Sequence, residues 1–190
     1  MGSGDLAGKK IAILAAGGVE QVELVQPRDA VRAAGAETVL LSVQGGVKDG
    51  RIQAMNSDIE PADTFAVDAL VGDVSVDDFH ALILPGGVVN PDKLRQDKDA
   101  VAFVRSFVTS GKPVGAICHA PWTLIEAGVV EGRTLTSWPS IRTDLRNAGA
   151  TVVDEETVTD DGLVTSRNPD DLPAFCARII EEFAEGRHKR

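Results

Sequence analysis

The sequence is poor in aromatic residues, which make up 4% of its 190 residues and include no tyrosine. Hydrophobic residues nevertheless reach 43% of the chain, so valine, isoleucine, leucine and alanine must fill most of the interior. That apolar content is too high for a disordered chain, and the length is sufficient for one domain with its own core. The sequence therefore predicts a folded domain with a largely aliphatic core.

Cysteine is also scarce, and Cys118 and Cys176 are the two in the chain. Two cysteines do not make a disulfide framework, and neither has a second cysteine or histidine at ligand spacing, so no metal site is expected there. Basic residues are outnumbered as well, 19 against 29 acidic ones, which gives a net charge of −10. Such a surface repels phosphate backbones, which argues against a nucleic-acid partner.

No apolar run approaches the roughly 20 residues that a membrane span requires. Met1 to Lys10 also lack the apolar stretch of a signal peptide. We therefore expect a cytoplasmic protein without a membrane partner. Residues 1–8 are predicted to be a disordered N-terminal tail. Residues 9–187 are predicted to be a single domain, since no repeat or linker divides them.

Short apolar segments alternate with amphipathic ones along the chain. The predicted strands are 10–16, 38–43, 81–84, 113–117 and 134–137, with a hairpin in 44–79 and a strand pair in 151–166. The predicted helices are 20–34, 92–110, 119–127, 141–148 and 172–185. Strands alternating with helices form right-handed βαβ units, which predicts an α/β protein, a doubly wound three-layer α/β/α sandwich with a mostly parallel central sheet.

Three segments that could contribute to a functional site directly follow predicted central strands. They are Gly17 to Glu20, Pro85-Gly86-Gly87 and Cys118-His119. Open parallel sheets bind their ligands outside the carboxyl ends of the strands. The three segments are therefore expected to converge on one functional site.

Cys118 is the candidate nucleophile, because it lies at a predicted strand-to-helix turn. A side chain at such a turn projects from the sheet, and the following helix N-terminus favours the thiolate over the thiol. The alternative, with similar weight, is a buried and inert small side chain. Cys176 lies on the apolar face of the last helix and is interpreted as an unreactive core thiol.

Backbone and imidazole groups next to Cys118 suggest further roles. Adjacent residues on a helix point about 100° apart, which makes a direct bond between His119 and Cys118 awkward. We expect His119 to act on substrate or to be oriented by a carboxylate, unless it only begins a helix. Gly86 and Gly87 expose backbone N–H groups that, with the N–H of His119, could form an oxyanion hole, or they could simply form a tight turn.

Glu20 is the candidate carboxyl group of the site. An ionised carboxylate would raise the pKa of the Cys118 thiol, so Glu20 would assist only when burial keeps it protonated as a hydrogen-bond donor. The alternative is an acidic residue in the first helical turn, favoured by the helix dipole. Glu23 fits that alternative at least as well.

Four segments resemble the ThiJ/PfpI superfamily, in particular the PfpI-type intracellular proteases. They are VEQVEL (19–24), ALILPGG (81–87), GKPVGAICHAP (111–121) and VTSRNPDDLPAF (164–175). The resemblance implies a flavodoxin-like sandwich, no cofactor, and a homodimer or higher homo-oligomer. It further implies that Cys118 is the nucleophile, His119 its partner and Glu20 the carboxyl beside the cysteine. Asp92 from a neighbouring subunit would complete a triad, and Ala120 replaces the family's usual glycine.

Three functional hypotheses follow, all centred on Cys118. The first is a PfpI-type cysteine hydrolase, an intracellular peptidase of the stress response, whose thioester intermediate is hydrolysed by water. The second is a cofactor-independent glyoxalase or deglycase that acts on methylglyoxal or its adducts through a hemithioacetal. The third is a redox sensor in which Cys118 is oxidised to a sulfenic or sulfinic acid. The substrate would be a small molecule or a peptide.

Overall fold

The computed structural model describes residues 5–188, which form alternating strands and helices. The strands are β1 (Lys10–Leu14), β2 (Val19–Glu20), β3 (Glu37–Ser42), β4 (Arg51–Asn56), β5 (Glu60–Ala66), β6 (Ala69–Leu70), β7 (Ala81–Leu84), β8 (Val114–Ile117), β9 (Thr134–Leu135), β10 (Thr151–Val152), β11 (Thr157–Asp160) and β12 (Leu163–Ser166). The helices are α1 (Gln21–Ala33), α2 (Val89–Gln96), α3 (Lys98–Thr109), α4 (Pro121–Glu126), α5 (Arg142–Asn147) and α6 (Leu172–Glu185).

A seven-stranded sheet in the order β11-β12-β8-β7-β1-β3-β6 forms the centre of the molecule. All neighbouring strands in it run parallel except β11, which pairs antiparallel with β12. Helices α1 and α6 pack on one face, and α2 to α5 cover the other. The predicted α/β, flavodoxin-like three-layer sandwich with a mostly parallel sheet is therefore confirmed.

Strand β1 shows why both faces of the sheet are covered. Ile11 and Ile13 belong to the core beneath α1 and α6, whereas Ala12 and Leu14 belong to the core beneath α2 to α5. Successive side chains of a strand point to opposite faces, so a continuous apolar run must be buried on both. All four residues are at most 1% exposed.

The predicted hairpin in 44–79 is formed by β4 and β5, which join β2 in a separate three-stranded sheet. Ser57 and Asp58 connect β4 and β5 and have φ of 51° and 64°. Positive φ at consecutive turn residues matches the right-handed twist of the strands, as in a type I′ turn. The Glu20 carboxylate accepts hydrogen bonds from both their N–H groups, which holds the turn against β2.

The predicted helix 92–110 is wrong, because the structure has two helices there. Helix α2 ends at Gln96 and α3 begins at Lys98. The Asp97 side chain between them accepts hydrogen bonds from the N–H groups of Asp99 and Ala100. Such an N-cap starts a new helix and changes its direction.

Part of the predicted disordered N-terminal tail, residues 5–8, is ordered. Residues 1–4 of the tail lie outside the described part of the chain, but residues 5–8 form a turn. Leu6 is fully buried, and its N–H donates to the Ala34 carbonyl at 2.9 Å. The prediction of disorder is therefore wrong for residues 5–8, because a single leucine anchors them to the core.

Across residues 5–188, no helix has both the length and the apolar character that crossing a membrane requires.

Candidate active site

The carboxyl ends of β1, β7 and β8 bring the three predicted segments together. A Cβ added to Gly86, after β7, would lie 2.6 Å from the Cβ of Cys118, after β8. A Cβ on Gly87 would lie 2.7 Å from the Gly18 carbonyl oxygen, after β1. The two glycines are required because the chain passes too close to both neighbours for any side chain.

Cys118 lies at a strained turn between β8 and α4. Its φ of 65° lies in the left-handed region, which a non-glycine residue occupies only when its surroundings hold it there. Its N–H donates to Ser166 at 3.1 Å, and its carbonyl accepts from Trp138 at 3.0 Å. The geometry is that of a nucleophile elbow.

The thiol of Cys118 does not have the low pKa that the sequence suggested. Cys118 is 4% exposed, and burial, with the nearby Glu23 carboxyl, raises its pKa above the usual value of 9.0. The expected helix from His119 begins only at Pro121 and has 6 residues, too short for a strong dipole at the sulfur. Burial therefore outweighs the helix, and the resting group is a thiol.

Glu23, rather than the predicted Glu20, is the carboxyl beside Cys118. It projects from the first turn of α1 and is 0% exposed, and its Oε2 accepts from the N–H of Gly86 at 2.9 Å. Burial raises the pKa of Glu23 from 4.5 to about 8. Its Oε1 is buried without an aligned hydrogen-bond partner, and the carboxyl group interacts with the Cys118 thiol.

Glu20 has a different role because it lies in β2, one residue before α1 begins. Its two carboxylate oxygens accept from the N–H groups of Ser57 and Asp58 at 3.1 and 3.0 Å. Glu20, which binds the hairpin, and Glu23, which faces Cys118, are three residues apart in sequence and therefore have different partners. The assignment of Glu20 to the cysteine is therefore wrong.

His119 contacts the nucleophile directly, contrary to the expectation from helical geometry. Its Nδ1 lies 3.2 Å from the Cys118 sulfur, and its Nε2 lies 3.2 Å from the hydroxyl oxygen of Ser140. The contact is possible because Cys118 has a left-handed backbone and neither residue is yet in α4. The predicted carboxylate orienting His119 is replaced by this serine hydroxyl.

Both tryptophans of the chain flank the His119 ring. Trp138 stacks on it with ring centroids 5.6 Å apart, and Trp122 is tilted against it at 5.3 Å. His119 is 4% exposed, and burial lowers its pKa below 6.5. At neutral pH the imidazole is therefore uncharged. In the tautomer protonated at Nε2 it donates to Ser140 and accepts from the thiol.

The predicted oxyanion hole loses one of its three N–H donors, because that donor already makes a hydrogen bond within the protein. The N–H of Gly86 donates to Glu23, so it is not available to a substrate oxygen. The N–H groups of Gly87 and His119 both donate toward the Cys118 sulfur and oppose the rise of its pKa. These two donors surround the nucleophile, and Gly86 instead fixes the carboxyl.

Asp92 lies away from this cluster, on an exposed part of α2. Its carboxylate oxygen accepts from the side-chain amide of Gln96 at 3.1 Å. The structure does not bring it to Cys118 of the same chain, so its action across a subunit interface stays a prediction.

Asp58 is a member of the site that sequence reasoning missed. The half-buried carboxylate accepts from the N–H of Val88 at 2.8 Å, and its charge raises the pKa of both Cys118 and His119. The hairpin turn that positions it was predictable only as a turn. Ser140, Trp122 and Trp138 gave no signal either, since none adjoins Cys118 in sequence.

Comparisons with known proteins reveal similarity over most of the chain. Residues 9–182 match the DJ-1/PfpI family. The chain is 46% identical over 170 residues to "Protein/nucleic acid deglycase 2" of Escherichia coli, covering 88% of this chain and 93% of that protein. It is 45% identical over 170 residues to "General stress protein 18" of Bacillus subtilis, covering 88% and 94%.

A solved structure shares the fold as well. Drosophila melanogaster DJ-1beta superposes with a TM-score of 0.81 at 29% identity, covering 93% of this chain and 90% of that one. The family match over residues 9–182 includes the segments that carry Cys118, Glu23 and the glycine turn. The chain therefore belongs to the DJ-1/PfpI family.

Proposed function

We propose that this protein is a cofactor-independent deglycase that removes methylglyoxal-type adducts from amines. The observation that carries the proposal is the buried Glu23 carboxyl, whose Oε1 makes no aligned hydrogen bond, beside a buried thiol with an imidazole nitrogen at 3.2 Å. Burial raises the pKa of Glu23 to about 8, so this carboxyl is protonated at neutral pH. Such a group can donate a proton or hydrogen bond to an oxygen on the carbon that the sulfur attacks. The deglycase name of the E. coli relative supports the same chemistry.

The first step would transfer the modified carbon from nitrogen to sulfur. The Cys118 sulfur bonds to the carbinol carbon of the adduct as the C–N bond at that carbon breaks. His119 Nδ1 takes the thiol proton and passes it to the departing amine nitrogen. The product is a hemithioacetal on Cys118, the same species that free methylglyoxal would form by direct addition.

The following steps need no external oxidant or reductant. His119 moves the proton of the hemithioacetal carbon to the neighbouring carbonyl oxygen, which gives an enediol, and the proton of the first hydroxyl group then passes to the second carbon. The first carbon is thereby oxidised and the second reduced. The resulting thioester is hydrolysed by water to a 2-hydroxy acid and the free thiol. Glu23 would hold the oxygen that carries the developing negative charge.

The peptidase hypothesis receives less support from the site. Cys118 and His119 are each 4% exposed, so a small carbonyl group reaches the sulfur more easily than an extended peptide. The backbone N–H of Gly86, expected to hold an oxyanion, already donates to Glu23. A redox sensor would use the same thiol, and the stress-protein name of the B. subtilis relative suits either role.

Assembly and location complete the proposal. We infer a homodimer or higher oligomer in which a second subunit presents Asp92, whose exposed position on α2 suits contact with another chain. Both cysteines are free thiols, which suits the reducing cytoplasm proposed for this enzyme.

The test is formation of lactate from methylglyoxal by the wild type and two matched cysteine variants. Cys118→Ala should lose the activity entirely, whereas Cys176→Ala should keep it, because Cys176 lies in α6 away from the elbow. Lactate formed equally by wild type and Cys118→Ala would refute the proposal. Absence of lactate with reversible oxidation of Cys118 by peroxide would favour the sensor.

A further inference from the structure

We propose that the end of helix α6 and the segment after it form a structural site for a first-row divalent cation, with Zn²⁺ the best match. Its ligands would be Glu182, Glu185 and His188, whose ligand atoms all lie within 4.8 Å of one another. The proposal is independent of the Cys118 chemistry.

The local sequence explains why these side chains meet. Glu182 and Glu185 are three residues apart, so they lie on the same face of α6. Gly186 ends the helix with φ of 84°, and the chain turns back so that His188 comes alongside Glu182. The imidazole Nε2 then lies 3.1 Å from the Oε2 of Glu182.

His188 packs closely against two glycines, Gly111 and Gly162. A Cβ on Gly162 would lie 2.6 Å from the His188 ring carbon Cδ2, and one on Gly111 would overlap the His188 carbonyl oxygen. The His188 N–H donates to the Gly111 carbonyl at 2.8 Å. The histidine is thus held by its backbone and its ring rather than lying free on the surface.

The two facing atoms contact each other without making an aligned hydrogen bond. Glu182 is 3% exposed, and its Oε2 and the His188 Nε2 are both buried without an aligned hydrogen bond. Buried polar atoms are normally satisfied, so such a pair indicates a missing partner. Arg178 binds the other oxygen of Glu182, at 3.2 Å, which leaves Oε2 as the ligand.

The spacing suits zinc in particular. Zinc binds imidazole nitrogen and carboxylate oxygen at roughly 2.0–2.1 Å in tetrahedral sites, so two ligands of one ion lie about 3.3 Å apart. The observed separation of Oε2 and Nε2 is 3.1 Å. Glu185 is exposed and can rotate to supply a third ligand, and water would take the fourth position.

Binding would fasten the C-terminal segment to the rest of the fold. His188 touches Gly111 after α3 and Gly162 between β11 and β12, so an ion shared with α6 would connect three separate parts of the chain. A ligand that binds only the folded state stabilises it by mass action. Zinc at 100 times its dissociation constant should therefore raise the melting temperature by about 5–10 °C.

The experiment is calorimetric titration of chelator-treated full-length protein with ZnCl₂, with thermal unfolding in parallel. It is done in the Cys118→Ser background, which removes the thiol as a competing zinc ligand. We expect one zinc per chain and the stated rise in melting temperature. Cobalt(II) should give a spectrum without a sulfur-to-metal charge-transfer band.

Variants test the assignment of each ligand. His188→Ala and Glu182→Gln should abolish binding, and Glu185→Gln should weaken it at least tenfold. Because Glu185 is exposed, this variant remains informative even where the buried Glu182→Gln fails to fold. His80→Ala is the matched control, since it removes a histidine outside the cluster and should leave binding unchanged. The proposal would be refuted if zinc binding survived both Glu185→Gln and His188→Ala, or if the wild-type cluster bound no stoichiometric zinc. Glu182 and His188 would then form only an ion pair.

Discussion

Replacement of Glu23 by glutamine should abolish a pH dependence of stability that the wild type shows. The pKa of Glu23 is 4.5 as a reference value and about 8 in the folded protein, because burial penalises its charged form. A carboxyl whose folded pKa is raised stabilises the protein fully below pH 4.5. That stability is lost as the pH rises toward 8, because the unfolded chain then releases the proton more readily.

The size of the effect follows from the shift. Each pH unit between the two pKa values costs roughly 1.4 kcal/mol, so the wild type should lose about 4 kcal/mol between pH 5 and pH 8. That is a large part of the 5–15 kcal/mol stability typical of a domain. With an m-value of about 2 kcal/mol/M, the urea midpoint should fall by about 2 M.

The assay is urea unfolding of wild type, Glu23→Gln and Glu20→Gln at several pH values from 5 to 8. Glu23→Gln can still accept from the N–H of Gly86, so it should fold and show little pH dependence. Glu20→Gln is the matched control because its carboxylate binds the hairpin N–H groups instead, and it should keep the wild-type slope. Parallel profiles for wild type and Glu23→Gln would refute the assignment of the buried carboxyl.

Three further predictions concern the site. Iodoacetamide should modify Cys118 before Cys176 although Cys118 is the more buried thiol. His119 Nδ1, 3.2 Å from the Cys118 sulfur, can take its proton during the attack, whereas burial raises the pKa of Cys176 to about 11 without a neighbouring base. Peptide mass spectrometry would show the opposite order if the elbow assignment is wrong. Ser140→Ala should lower kcat about tenfold, because the His119 ring loses one hydrogen bond, and should leave the melting temperature unchanged. If kcat and the pH-rate profile were both unchanged, Ser140 would not orient His119. Light scattering should detect at least a dimer, and a monomer at assay concentration would contradict the role of Asp92.

The sequence predicted the fold well because the apolar pattern directly reflects burial. Continuous aliphatic runs such as ALIL (81–84) match a parallel sheet covered on both faces, and β7 has the predicted bounds. The division of the predicted helix 92–110 into α2 and α3 was missed. Asp97 caps α3 only because the chain changes direction there, and the apolar pattern does not show that change. The anchoring of residues 5–8 was missed because one leucine does not form a pattern.

The candidate site was predicted in its location but not in its electrostatics. Parallel strands bring Gly86 and Cys118 to one edge, and the glycine turn and the elbow follow from that rule. The identity of the carboxyl depends on which of Glu20 and Glu23 the first turn of α1 directs inward, and a one-residue uncertainty in the helix start leaves that open. The raised pKa of Cys118 depends on burial, which no local sequence feature measures.

The central claim is that Cys118 removes carbonyl adducts rather than cleaving peptide bonds. The most direct measurement is mass spectrometry of one peptide that carries a methylglyoxal adduct, incubated with wild type or Cys118→Ala. We predict that the wild type returns the intact unmodified peptide together with lactate, and that Cys118→Ala leaves the adduct in place beyond its spontaneous loss. Shorter peptides that still carry the adduct, or equal repair by both proteins, would contradict the account.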